Sequence, residues 1–334
     1  MFPIEDQPTW TIKDSSKLDE YLRCPRSYFF RYILGWTLDM PAHDLHFGEA
    51  YHKAREWQLR NGYEDIQGAH NVFMECYRKY FDPESDSLYS PKTPTAVLNA
   101  LMKFRDERYA DLIDNEVVEF DGQKMLEISG TVPVDENRFL HYRMDSIIQR
   151  LEDGMIFSWD HKTTSEKYII GRQWADQFFL SIQNGTYTHC LYCMFPTEKV
   201  LGVEFCGTGF IFLQRGSANR SGGYHATLRR VPAYKTPEQM NVWLWTVNNV
   251  LDRIERDMEQ LFHCSDLDAV MMAFPMNPLS CTAFRGCAYH DYCLSWSNPL
   301  RCCEEPPIGF RTEYWNPADR PSSVKRDLKW EVKS

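Results

Sequence analysis

Asp145, Asp160 and Lys162 are the residues whose types and spacing could do chemistry. The segment "FSWDHKTTSEK", residues 157–167, is an apolar, strand-like run that ends in Asp160, His161 and Lys162. Side chains alternate faces along a strand, so Asp160 and Lys162 share one. Upstream, Asp153-Gly154 predicts a two-residue hairpin turn. With residue 152 opposite 155, Asp145 lies across from Lys162, and cross-strand partners point to the same face. One turn thereby gathers two carboxylates and a lysine. Carboxylate oxygens are the hard ligands that Mg2+ or Mn2+ takes. A cation held there activates water and stabilises charge on a phosphoryl oxygen. A neighbouring lysine positions the nucleophile or offsets negative charge in the transition state. The hairpin alone leaves a purely structural ion-pair cluster equally open. The opposite face, with Leu140, Tyr142, Met144 and Ile148 across from Phe157 and Trp159, suits a core.

The elements that must position these residues follow from periodicity. Residues 15–35 read as a helix capped by Ser15 or Ser16, kinked or broken at Pro25 and ended by Gly35. "HDLHFGEAYHKAREWQLRNG" reads as a second helix stopped by Asn61-Gly62. Further helical patterns cover about 66–80 and 95–113, separated by the loop "DPESDSLYSPKTPT". From Val117 to Lys162 the pattern alternates, as in antiparallel strands. Residues 173–194 read as one helix, 200–214 and 224–232 as strands around a Gly/Ser turn, and 237–263 as a long amphipathic helix. This order suggests an α/β domain with a helical insertion before the sheet.

Asp145, followed after fourteen residues by Asp160-His161-Lys162, resembles the D…D-x-K signature of PD-(D/E)XK nucleases. Three further stretches resemble the RecB-type branch, with AddB and the CRISPR-adaptation nucleases. They are "LDEYLRCPRSYFFRYILG", "FGEAYHKARE" and "QNGTYTHCLY", and the family order is kept over residues 17–187. The resemblance implies a restriction-endonuclease-like core, a central mixed β-sheet flanked by helices. It implies a single nuclease domain over 1–300: a helical part at about 15–113, a catalytic sheet at about 115–263 and a Cys-rich segment at 275–300. A polar tail, 301–334, follows. His52, Asp145, Asp160 and the backbone carbonyl of His161 would hold Mg2+ or Mn2+, and Lys162 would assist catalysis. Gln183 and Tyr187, four apart on one helical face, would act beside them and position DNA. Glu119 and Glu127 read as strand-edge charges, with Glu127 the better candidate for a supporting acid.

The chain has eleven cysteines. "NPLSCTAFRGCAYHDYC" spaces Cys281, Cys287 and Cys293 equally, and Cys24 stands alone in "LRCPRSYF". Iron-sulfur members of the branch hold a 4Fe-4S cluster with one N-terminal and three C-terminal cysteines, which implies this set. The wider first gap departs from the branch's closer spacing, and four thiolates also suit Zn2+. Cys302-Cys303 is an alternative source of a ligand, and the remaining cysteines read as packing residues.

Arg215, Arg220, Arg229, Arg230 and Lys235, interleaved with Tyr224 and Tyr234, fall on one predicted hairpin that suits a single strand or a merely solvated edge. The net charge of −10 argues mildly against a nucleic-acid partner without excluding a local basic groove. No apolar run approaches the ~20 residues of a membrane span, and the acidic, polar N-terminus points to the cytoplasm. No G-x-x-x-x-G-K-[ST] motif is present, so unwinding would fall to a helicase or recombination partner. The reading is a metal-dependent exonuclease on single-stranded DNA or DNA ends. A nuclease-like binding module without turnover, and a zinc-stabilised interaction protein, remain open.

Overall fold

The computed structural model describes residues 4–214, 221–283 and 286–329. Eight strands build one mixed sheet: β1 (Lys13–Asp14), β2 (Asn115–Val117), β3 (Leu126–Pro133), β4 (Phe139–Arg150), β5 (Ile156–Ser165), β6 (Val200–Leu213), β7 (Gly223–Tyr234) and β8 (Val324–Lys325). Their order is β7-β6-β5-β4-β3-β8, with β1 and β2 also paired to β4. The main helices are α1 (Ser15–Arg23), α2 (His43–Asn61), α3 (Ile66–Tyr77), α4 (Pro94–Arg108), α5 (Arg172–Phe179), α6 (Ile182–Met194) and α7 (Pro237–Phe262). Helices flanking a mixed sheet are the expected α/β class.

The chain divides into two compact units. One comprises Met1–Met40, Gly130–Tyr142 and Pro237–Pro321; the other comprises Pro41–Ser129, Arg143–Thr236 and Ser322–Ser334. In the first, the side chain of Asp14, rather than Ser15 or Ser16, caps α1 by accepting the Lys17 N–H at 2.8 Å. The expected break falls at Cys24, which is extended (φ −162°, ψ 112°) because a residue before proline is pushed out of the helical region. The chain then runs through Pro25–Tyr28 and a π-helical turn, Phe29–Ile33, before Gly35 turns it at φ 69°. The segment after residue 300 is more than a polar tail: Phe310–Thr312 pairs with Trp36–Leu38.

In the second unit, α2, α3 and α4 enclose an aromatic core with Phe47, Tyr51, Phe73, Tyr77, Phe104 and Phe210. Gly62 (φ 95°) ends α2 where expected. The helix expected at 173–194 is two helices, because Ser181 stops the first and caps α6 through the Asn184 N–H at 3.2 Å. Gly207 on β6 is required by close approach: a Cβ there would lie 2.3 Å from the Trp174 ring of α5. Gly207 is the register partner of Lys162.

The hairpin differs from expectation in register but not in parity. Ser146 pairs with Trp159 and Gln149 with Ile156, and Arg150 donates its N–H to the Met155 carbonyl. The loop therefore holds Leu151 to Gly154, four residues instead of two. The shift is two residues along the partner strand, so every side chain keeps its face. Continuing the register sets Asp145 across from Asp160 instead of Lys162. Leu140, Tyr142, Met144, Ile148, Phe157 and Trp159 are all buried, as that face predicts.

Candidate metal and active site

The site lies within the second unit, where the ladder between β4 and β5 ends. Beyond Ser146–Trp159 the Asp145 carboxylate, through Oδ2, accepts the backbone N–H of His161 at 2.7 Å. Its other oxygen, Oδ1, is 3.1 Å from Nδ1 of His52, presented by α2. Asp145 is 8 % exposed. Burial opposes its charge, yet His52 and the His161 amide hold its carboxyl well below the usual range. The same pairing, against the cost of burial, raises the His52 imidazole.

Glu127, on β3, completes a group that spacing alone underrated. One ligand atom each from His52, Glu127 and Asp145 lies within 4.8 Å of the others. Glu127 is 1 % exposed, so it is no solvated edge charge; Glu119, by contrast, is exposed. Arg143 and Lys53 reach Glu127 Oε2 at 2.5 Å and 3.9 Å. Burial, with Asp145 beside it, nevertheless pushes the Glu127 carboxyl up. Arg143 stands two residues before Asp145 on one strand, a position where a shared face was legible.

Asp160 and Lys162 form an ion pair 2.6 Å long. Burial pushes the Asp160 carboxyl up to about 6, with Lys162 opposing and Asp145 adding to it. Asp160 Oδ2 accepts no directed hydrogen bond despite the nearby ammonium. Gln183 Oε1 accepts from Lys162 Nζ at 3.0 Å, while its amide nitrogen donates to Asp160 Oδ1 at 3.4 Å and to the Tyr187 hydroxyl at 2.9 Å. Tyr187 in turn donates to the Arg143 carbonyl. Tyr187 is 6 % exposed, so its hydroxyl holds the strand that carries Asp145 rather than meeting solvent. The His161 ring turns to the other face, buried and neutral, with neither nitrogen hydrogen-bonded among the described residues.

Arg229 and Arg230 of the hairpin are occupied within the fold. Arg229 donates to the Ile169 and Gly171 carbonyls, and Arg230 forks onto Asp111. Lys235 donates to the Phe179 carbonyl at 2.6 Å. Arg215 and Arg220 lie outside the described residues.

In the first unit, Cys24, Cys281, Cys287 and Cys293 are neighbours. Burial pushes the Cys293 thiol up to about 11, Arg26 opposes, and Cys24, Cys287 and Cys281 add to the rise. Asn277 ties the segments together: its N–H donates to Cys24 Sγ at 3.3 Å and its amide to the Arg23 carbonyl at 2.8 Å. Arg26 Nε donates to the Phe274 carbonyl at 2.9 Å, placing a guanidinium beside the thiols. Cys303 is buried and donates to the Leu300 carbonyl at 3.3 Å, while Cys302 is exposed.

A family model for the PD-(D/E)XK nuclease superfamily matches residues 15–294. The chain belongs to the PD-(D/E)XK nuclease superfamily. No curated protein matches the chain. Membership implies a nuclease that uses divalent metal and acts on DNA. The donor set fits such a cation: two buried carboxylates and a half-buried imidazole within reach of one another. Among the described residues no helix is long and apolar enough to cross a membrane.

A cation seated here must displace protons from His52, Glu127 and Asp160, whose affinities for protons are all raised. Mn2+ affinity, followed by calorimetry from pH 8 down, is therefore expected to fall as pH drops through about 6, the value to which Asp160 is raised. An affinity that stays flat across that window contradicts this electrostatic picture.

Proposed function

We propose that the protein is a Mg2+- or Mn2+-dependent deoxyribonuclease of the RecB-type branch, an exonuclease on single-stranded DNA or DNA ends. The observation that carries the metal reading is the His52–Glu127–Asp145 group, its two carboxylates buried, beside the Asp160–Lys162 pair. His52, Glu127, Asp145 and Asp160 would hold the cation, with the His161 carbonyl as the resemblance implies. A bound divalent cation supplies Lewis acidity and a water ionised near neutral pH. Lys162 brings a positive charge to the point where phosphoryl charge develops. Gln183 fixes the lysine and Asp160 together, and Tyr187 fixes Gln183 to the strand that carries Asp145. The choice of DNA ends and single strands rests on the RecB-type resemblance, as does a role in DNA repair and recombination beside a helicase partner.

Cys24, Cys281, Cys287 and Cys293 would hold a structural 4Fe-4S cluster. The choice of this cluster over zinc, which four thiolates also suit, rests on the resemblance to the iron-sulfur members of the branch. A cluster joining Cys24 to Cys281 would close a long loop and restrict the unfolded chain, by analogy with a disulfide's ~2–4 kcal/mol.

Two experiments test these readings. End-labelled single- and double-stranded DNA should be degraded from an end with Mn2+ or Mg2+ and left intact with EDTA. Lys162→Ala should lower the rate at least ~100-fold, as for loss of a principal electrostatic stabiliser, while the fold by circular dichroism is kept. Cleavage by Lys162→Ala at the wild-type rate contradicts the site assignment; internal nicking without end dependence contradicts the exonuclease. Protein purified without oxygen should show the broad visible absorption of an iron-sulfur cluster, and Cys281→Ala should lose both colour and thermal stability. A colourless preparation with one equivalent of zinc contradicts the cluster.

A further inference from the structure

We propose that Arg143 sets the metal preference of the site by confining Glu127 to one ligating oxygen; this rests on the reading that His52, Glu127 and Asp145 hold a divalent cation. Arg143 approaches Glu127 with two donors, Nε at 3.1 Å and Nη2 at 2.5 Å, and both bonds fall on Oε2. Lys53 Nζ stands 3.9 Å from the same oxygen. Among the described residues Oε1 accepts no hydrogen bond. The Arg143 side chain is 19 % exposed and that of Glu127 only 1 %, so the pair is largely shielded from competing water.

The backbone on both sides is also fixed. Glu127 sits at φ 48°, a left-handed conformation that a non-glycine residue keeps only when its surroundings hold it. Its carbonyl accepts the Ser323 N–H at 3.0 Å, next to β8. The Arg143 carbonyl accepts the Tyr187 hydroxyl. Neither partner can move away without losing these bonds, so the carboxylate meets a cation with Oε2 already taken.

That division matters differently for different cations. Mg2+ requires near-octahedral geometry and takes carboxylates one oxygen at a time, and Mn2+ shares its preference for oxygen ligands. Ca2+ takes six to eight oxygens and gains from a carboxylate that chelates with both. An Arg143 fork on Oε2 withholds the second oxygen, so Arg143 penalises the larger cation. Arg143 is a positioning residue here, since it acts on the cation through Glu127. Its charge alone would repel every divalent cation alike, so the ratio of two affinities isolates the fork from the charge.

The test is calorimetric titration of the full chain with Mn2+ and with Ca2+ at neutral pH, for wild type, Arg143→Met and Lys53→Met. Arg143→Met should tighten Ca2+ relative to Mn2+ by about tenfold or more, because Glu127 becomes free to chelate. Lys53→Met, which removes a charge that makes its hydrogen bond to Glu56 and none to Glu127, should shift both cations by the same factor. A ratio in Arg143→Met equal to that of wild type overturns the inference while leaving the metal site standing. A wild type that binds neither cation overturns the metal reading itself. Should Arg143→Met not fold, as judged by circular dichroism, a crystal structure of Mn2+-loaded wild type decides. One Glu127 oxygen at the metal, with Arg143 on the other, supports the inference; chelation by both overturns it.

Discussion

The confinement of Glu127, Asp145 and Asp160 within one buried site is the constraint on which the rest of the structure depends. All three are under a tenth exposed. An uncompensated buried carboxylate costs several kcal/mol, and three at close quarters also repel one another. The protein answers with a different device for each. Asp145 receives an imidazole and a backbone amide, Asp160 an ammonium, and Glu127 a guanidinium. The compensation is uneven. Asp145 is held ionised, whereas Glu127 and Asp160 are pushed toward protonation. Such a divided set is poised to exchange protons for a divalent cation.

The fold is arranged around delivering these groups. The antiparallel ladder of β4 and β5 ends just before Asp145, which frees its carboxylate for the His161 amide. On its other edge β5 pairs in parallel with β6, and the crossover between them contains α6. That crossover brings Gln183 and Tyr187 back onto the strands they support. His52 arrives on the long helix α2, whose Tyr51 is anchored to Thr208 of β6 at 2.8 Å. The side chains of the candidate site are thus carried by strands and helices rather than by loops, which suits precise chemistry.

Much of this was legible in the residues. Alternation placed Asp145, Asp160 and Lys162 on one face even though the turn was longer than Asp153-Gly154 suggested, because a two-residue slip preserves parity. The i, i+4 spacing of Gln183 and Tyr187 correctly implied a shared helical face. What local pattern could not supply was long-range pairing. Glu127 looked like an edge charge because nothing near it in sequence announces Arg143 or Lys53. Arg229 and Arg230 looked free because Ile169, Gly171 and Asp111, which hold them, lie far away along the chain. The break at Ser181 was hidden for a different reason: the apolar period continues across it, while the serine cap interrupts the backbone.

The central claim is that a divalent cation completes the compensation of the buried carboxylates. Thermal unfolding in EDTA and in excess Mn2+, for wild type and Asp145→Asn, tests it most directly, since a ligand that binds only the folded state raises its stability. Wild type should melt at a higher temperature with Mn2+, while Asp145→Asn should fold and show little or no such rise. An equal rise in both proteins, or none in wild type, would contradict the account.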